Sequence, residues 1–188
     1  MKDIFTGKLV RLAALVPEAI AAPAAEWNRD SEYMRLLDSD PPRLFSANAI
    51  RQWIEKQSAK DPTQYSGFAI RSLGDDALIG HTSLFGFLWN HRSAWLGIGI
   101  GRQDVWGKGY GTDAVGLMLR YAFSELNLRR VQLSVFDYNP RAVRSYESAG
   151  FRLEGILRRG YARDGVRYDE LFMAVLYEDW AKANRTQR

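Results

Sequence analysis

The chain has 188 residues, 46% hydrophobic and 26% charged, with a formal net charge of +4 and no cysteine. That length fits one domain, expected over residues 1–188 with its core at about 7–180, and it is enough to bury a real core without staples. The composition excludes a mostly disordered chain, the missing cysteines exclude disulfides, thiolate metal sites and cysteine nucleophiles, and no apolar run reaches the ~20 residues of a membrane span.

Met1 to Gly7 shows no signal-peptide core, which points to a cytoplasmic protein. Lys8 to Ala13 alternates weakly and suits a strand. The Ala-rich run from Pro17 to Leu37 reads as helix interrupted at Pro23, and Asp38-Ser39-Asp40-Pro41-Pro42 must be a loop. Ser46 caps a second helix whose Ile50, Trp53, Ile54 and Gln57 share one face. Three strands follow, Tyr65 to Ser72, Ala77 to Leu88 and Ala94 to Ile100, separated by turns at Gly74–Asp76 and Asn90–Ser93. Such short connections imply an antiparallel meander. Val115, Met118, Leu119, Ala122, Phe123 and Leu126 then mark a helix, and Arg130 to Phe136 a strand. Asn139-Pro140 starts another helix, which Gly150 stops. Phe151 to Leu157 and Glu170 to Leu176 close the chain as strands, giving a mixed sheet with a parallel crossover in its middle.

The positive charge is concentrated. Residues 102–167 hold twelve Arg or Lys against seven Asp or Glu, while the remainder holds fourteen against fifteen. A nucleic acid, a small polyanion or plain solvation would each account for it. Within that stretch, Trp106-Gly107-Lys108-Gly109-Tyr110-Gly111-Thr112 lies between a strand and a helix. Alternate glycines let backbone N–H groups converge at a helix N-terminus, which suits a phosphate; the bland alternative is a turn whose glycines answer sterics alone. The order is wrong for a Walker loop. Gly109 to Ala114 does spell the G-x-G-x-x-A of dinucleotide folds, with Asp137 after the next strand. The antiparallel strands before it are the wrong context for that reading.

Together with Asn139-Pro140-Arg141-Ala142 and Tyr146-Glu147-Ser148-Ala149-Gly150-Phe151, this turn resembles the GNAT superfamily of acyl-CoA-dependent N-acetyltransferases. It is most similar to the branch of the ribosomal-protein N-terminal acetyltransferases RimJ and RimL. Glu154-Gly155, Arg158, Asp164-Gly165, Asp169, Met173 and Asp179-Trp180 fit that branch too, and the resemblance spans about residues 7–180. It implies an α+β fold: a twisted, mostly antiparallel sheet of six to seven strands, a parallel pair at the cofactor cleft and about four flanking helices. It further implies acetyl-CoA as acetyl donor, no metal, and direct transfer in a ternary complex to a primary amine. That amine is a protein N-terminus, a polyamine, an aminoglycoside or an amino acid; a homodimer is open, and no membrane or nucleic-acid partner is expected.

By the same resemblance, Ile98 to Ile100 would lie along the pantetheine arm. The turn Trp106, Gly107, Lys108, Gly109, Tyr110, Gly111 and Thr112 would hold the pyrophosphate, Asn139 would pair with the pantetheine and Arg144 would meet a phosphate. The family turn usually begins with Gln or Arg, and here Trp106 stands instead. Tyr146 matches the tyrosine that gives a proton to the CoA sulfur, and a backbone N–H of Leu96 to Ile100 would steady the oxyanion. Many relatives carry a Glu on the strand Ala94 to Ile100, and this chain has none. His81 is the candidate base by its ordinary pKa, with Asp104, Glu170 and a water relay as alternatives. The acceptor side would draw on Trp27, Tyr33, Asp38, Asp40, Phe45 and Trp53. Two other classes stay open: a CoA-binding sensor or scaffold that has lost efficient chemistry, motivated by the missing carboxylate, and a basic RNA-associated protein, which lacks any recognised RNA module.

Overall fold

A seven-stranded sheet in the order β1-β2-β3-β4-β5-β7-β6 organises the computed structural model, which describes residues 3–185. Met1, Lys2 and residues 186–188, which belong to the expected span and its N-terminal reading, lie outside the described residues. In chain order the elements are β1 (Val10–Ala14), α1 (Pro17–Trp27), α2 (Ser31–Leu37), α3 (Ala47–Ser58), β2 (Tyr65–Ser72), β3 (Leu78–Leu88), β4 (Ser93–Ile100), α4 (Tyr110–Arg120), β5 (Arg130–Phe136), α5 (Pro140–Ser148), β6 (Arg152–Arg163), β7 (Val166–Leu176) and α6 (Tyr177–Arg185). Every strand pair is antiparallel except β4 with β5. The expected mixed α and β architecture with one parallel pair is therefore the observed one.

Strand alternation sends neighbouring side chains to opposite faces. On β2, Ala69 joins a cluster with Ile20, Ala21, Ala24, Ile50 and Ile54 from α1 and α3. Its neighbour Ile70 joins the larger core, where Val115, Leu117, Met118 and Leu119 of α4 pack on Val131, Leu133 and Val175. The helical stripe of α4 continues past Arg120 as a π-turn over Tyr121–Glu125, which keeps Ala122 and Phe123 buried.

Three expectations change. The helix break falls at Asn28–Asp30, and Pro23 lies inside α1. One missing N–H is outweighed there by burial of Ile20, Ala21 and Ala24 against α3, while the Asp30 carboxylate, accepting from the Glu32 N–H at 2.9 Å, starts a separate α2. The closing strands are longer, because Asp164 and Gly165 both adopt positive φ and fold Arg152–Leu176 into one tight hairpin. A sixth helix, α6, packs Trp180 on Phe123 at 5.3 Å between ring centroids.

Asp113 ties the chain's beginning to the helix that follows the glycine turn. Its Oδ2 accepts backbone N–H bonds from Lys8, Leu9 and Val10 at 2.8, 2.7 and 3.0 Å. Removing that acceptor leaves three donors to find water. Asp113→Ala is expected to cost about 2 kcal/mol of stability, read as a lower urea midpoint with an unchanged slope.

Candidate active site

Pairing of β4 with β5 covers only Ser93–Arg130, Ala94–Val131 and Trp95–Gln132. Beyond Trp95, β4 follows β3 while β5 follows β7, so the two strands part and open a cleft of about 1290 Å³. The Gly101 N–H bonds Ile79 O on β3 at 2.9 Å, and ladder alternation then turns the backbone of Ile98 and Ile100 toward the opening. The Ile100 carbonyl is taken by the Trp106 indole N–H at 2.7 Å. Ile98 has no strand to pair with on that side, which leaves its N–H free to meet a carbonyl oxygen or an amide.

The glycine turn closes one end of this cleft. Gly107 and Gly109 have φ of +72° and +89°, and Gly109 is the N-cap of α4. An added Cβ at Gly107 would meet nothing within 4 Å, so the backbone surface there is open. Helix N-terminal N–H groups and an unobstructed backbone are what an oxyanion-rich group requires, and the turn fits a diphosphate on that ground. Gly107, Gly109, Tyr110, Gly111 and Thr112 line the cleft, as do Ile98, Ile100 and Trp106; Lys108 is exposed and does not. The Thr112 and Ser145 hydroxyls, 2.8 Å apart, couple α4 to α5.

From α5, Asn139, Arg141, Arg144 and Tyr146 also line the cleft. Asn139 is buried and caps its own helix, its Oδ1 accepting the Ala142 N–H at 3.1 Å, which leaves the side-chain NH₂ for a ligand. Tyr146 packs its ring on Phe151 at 5.8 Å, and burial pushes its phenol up to about 12. Arg102 and Arg130 of the basic stretch are neutralised by Asp104 and Glu154. Arg141 and Arg144 form no ion pair among the described residues.

The other half of the cleft lies across the β4 face that carries Gly97 and Gly99, with Gly101 just past the end of the strand. Any side chain at Gly99 would collide with the Tyr33 hydroxyl, 2.7 Å from an added Cβ, and crowd His81 Cε1 at 3.3 Å. Tyr33 and His81 thus share one wall; burial raises the Tyr33 pKa and lowers that of His81, keeping both neutral at pH 7. Asp38, Phe45, Trp53 and Glu170 also line this half. Glu170 is buried on β7 and accepts the Tyr161 hydroxyl at 3.0 Å. The rim is latched: Arg35 grips Asp164 at 2.7 and 3.1 Å, and Arg163 Nη2 reaches the carbonyls of Asp38, Ser39 and Asp40 at 2.8, 2.9 and 3.2 Å.

Trp27 and Asp40 do not line the cleft. Trp27 lies against Gly101 and edge-on to Tyr33, supporting the wall from behind. Asp104 is a surface ion pair with Arg102 and is removed from the cleft, which takes it out of the candidate bases. Several lining residues escaped sequence reasoning: Trp95, Phe85, Tyr65, Phe136 and Arg141. Only Arg141 had a signal, its place two residues after Asn139.

Comparison with known proteins places the fold in a family. Residues 10–152 match the family described as Acetyltransferase (GNAT) domain. The chain belongs to the GNAT acetyltransferase family. It is 29% identical over 178 residues, 94% of both chains, to the SPbeta prophage-derived uncharacterized N-acetyltransferase YokL of Bacillus subtilis (strain 168). Over 126 residues, 66% of this chain and 69% of the relative, it is 36% identical to the Probable N-acetyltransferase YjcK of the same organism. Among solved structures, spermidine N-acetyltransferase from Vibrio cholerae, in complex with CoA and spermine, is similar with a TM-score of 0.80 and 26% identity, covering 92% of this chain and 98% of that one. The protein is an acyltransferase of this family.

Gly109→Val puts a β-branched side chain on a φ of +89° at the helix cap. We expect at least a tenfold loss of CoA affinity by isothermal titration; unchanged affinity would remove the glycine turn from the donor site.

Proposed function

We propose that this GNAT protein transfers the acetyl group of acetyl-CoA to a primary amine, directly and within a ternary complex. The observation that carries this reading is the pairing of an open glycine cradle at one end of the β4–β5 cleft with a protonated phenol, Tyr146, on its wall. When bound, the donor supplies an activated thioester. The Gly107–Thr112 backbone would hold its diphosphate, Ile98 and the Asn139 amide would hold the arm, and Arg144 would meet a phosphate.

The chain's own residues then manage two protons and one developing charge. The His81 imidazole, kept neutral by burial, takes the proton that the acceptor ammonium sheds. The Ile98 N–H steadies the carbonyl oxygen as the carbon–nitrogen bond forms. Tyr146 Oη would give a proton to sulfur as the carbon–sulfur bond breaks, and the second proton shed by the acylated nitrogen would return to the Tyr146 phenolate, so that the amide leaves neutral and the phenol is restored. A phenol raised to about 12 is fully protonated at neutral pH, so the donor proton is always in place.

For the acceptor we favour a small cationic amine such as a polyamine. Asp38 and Glu170 offer carboxylates in the acceptor half beside Phe45 and Trp53, and a structurally similar protein is a spermidine N-acetyltransferase. The RimJ/RimL-like motifs support a protein N-terminus as the second acceptor class. A panel of spermidine, aminoglycosides and N-terminal peptides, scored by free-thiol release, separates them. Acetyl-CoA binding without thiol release across that panel would favour a sensor.

Tyr146→Phe is expected to lower kcat by roughly 10²–10⁴ with donor affinity nearly unchanged; a loss below threefold would make Tyr146 a packing residue. The pH profile gives a separate check. A lowered His81 pKa means protonation sets in only below 6.5, so kcat/KM falls as pH drops through a value under 6.5. His81→Gln abolishes that limb, leaving the limb set by the acceptor's own ammonium. Burial keeps the Tyr146 phenol protonated throughout the neutral range, so its ionisation sets no limb there.

A further inference from the structure

Trp106 replaces the Gln or Arg with which the resemblance begins this turn, yet a cation stands over it. Arg141, in the first turn of α5, places its guanidinium carbon 3.8 Å from the centre of the Trp106 ring. The ring itself cannot swing freely, because its N–H is committed to Ile100 O at 2.7 Å. A rigid indole thus fixes a planar cation by stacking. That cation is partly desolvated, has no ion pair among the described residues, and feels Glu32 only at longer range. It lines the cleft, and its platform is the residue next to Gly107. A charge that is oriented, partly stripped of water and without an ion pair among the described residues is poised for an incoming anion.

We propose that Arg141, positioned on Trp106, is the side-chain clamp for one phosphate of the donor's pyrophosphate, supplying from α5 the contact that position 106 no longer makes. This rests on acetyl-CoA being the donor. Trp106 is a positioning residue: it touches the clamp, and its indole holds the end of β4. Arg144, one turn farther along α5 and exposed, is left for the ribose 3′-phosphate.

Isothermal titration with CoA and with 3′-dephospho-CoA tests this on the full chain, with wild type, Arg141→Gln, Arg141→Lys, Trp106→Leu and the double variant Trp106→Leu/Arg141→Gln. Arg141→Gln is expected to weaken both ligands by about tenfold or more, with Arg141→Lys between it and wild type because the charge survives but the fork and stack do not. Trp106→Leu should weaken both by less, and the double variant should lose clearly less than the sum of the two single losses, since the platform acts on the phosphate through the cation. Arg141→Gln affinity within twofold of wild type overturns the proposal. A loss confined to CoA overturns it by moving Arg141 to the 3′-phosphate, and additive losses in the double variant overturn the positioning role of Trp106. Failure of wild type to bind either ligand would instead remove the donor assignment, and this inference with it.

Discussion

Three residue pairs join the two halves of the sheet. Ser93–Arg130, Ala94–Val131 and Trp95–Gln132 are the whole of the parallel seam, and Ala94 and Val131 at its centre are almost completely buried. A longer seam would leave no opening between β4 and β5; without it, the sheet would divide into a four-stranded and a three-stranded half. The crossover helix α4 makes the short seam sufficient. Val115, Leu117, Met118 and Leu119 lie on the larger core that both halves share, so hydrophobic burial does what hydrogen bonds beyond Trp95 do not. The same crossover sets the helix N-terminus beside the carboxyl ends of the parallel strands, where sheets of this kind bind ligands.

The two ends of the opening are built by opposite means. At the proposed donor end, backbone is what the opening offers a ligand: glycines with positive φ, a helix cap, and strand amides without a neighbouring strand. At the proposed acceptor end, side chains are offered instead, and β4 contributes mainly by lacking them. A collision at Gly99 with Tyr33 and His81 shows how closely that wall approaches the strand. A carboxylate on this stretch of β4 would compete for the same space, which gives a physical reason why the titratable groups of this half stand on α2, β3 and β7.

Much of the donor end was legible in the sequence because its features are local. Gly107, Gly109, Asn139-Pro140 and Gly150 act within a few residues of themselves, and each reads as a turn, cap or stop without knowledge of the fold. The acceptor end was less legible because its residues meet across the chain. Asp38 and Glu170, or Tyr33 and His81, are brought together only once α2 lies over β4 and the hairpin folds back. Pro23 misled for a related reason: its local cost is real, and tertiary burial of Ile20 and Ala24 overrode it. Trp106 looked like a lost contact when read alone. Arg141, thirty-five positions away in sequence, changes that reading through proximity that no spacing rule encodes.

The latch between the α2–α3 loop and the closing hairpin separates what can vary from what cannot. Arg163 grips main-chain carbonyls at Asp38, Ser39 and Asp40, so the loop's side chains are free of the task of holding it in place. Under the proposed function, substitutions along that loop would redraw the entrance for a different amine while the main-chain latch and the glycine turn stay intact. Under the proposed reading the doorway can be recut residue by residue, because Arg163 holds only main chain there and the Arg35–Asp164 pair lies outside the loop.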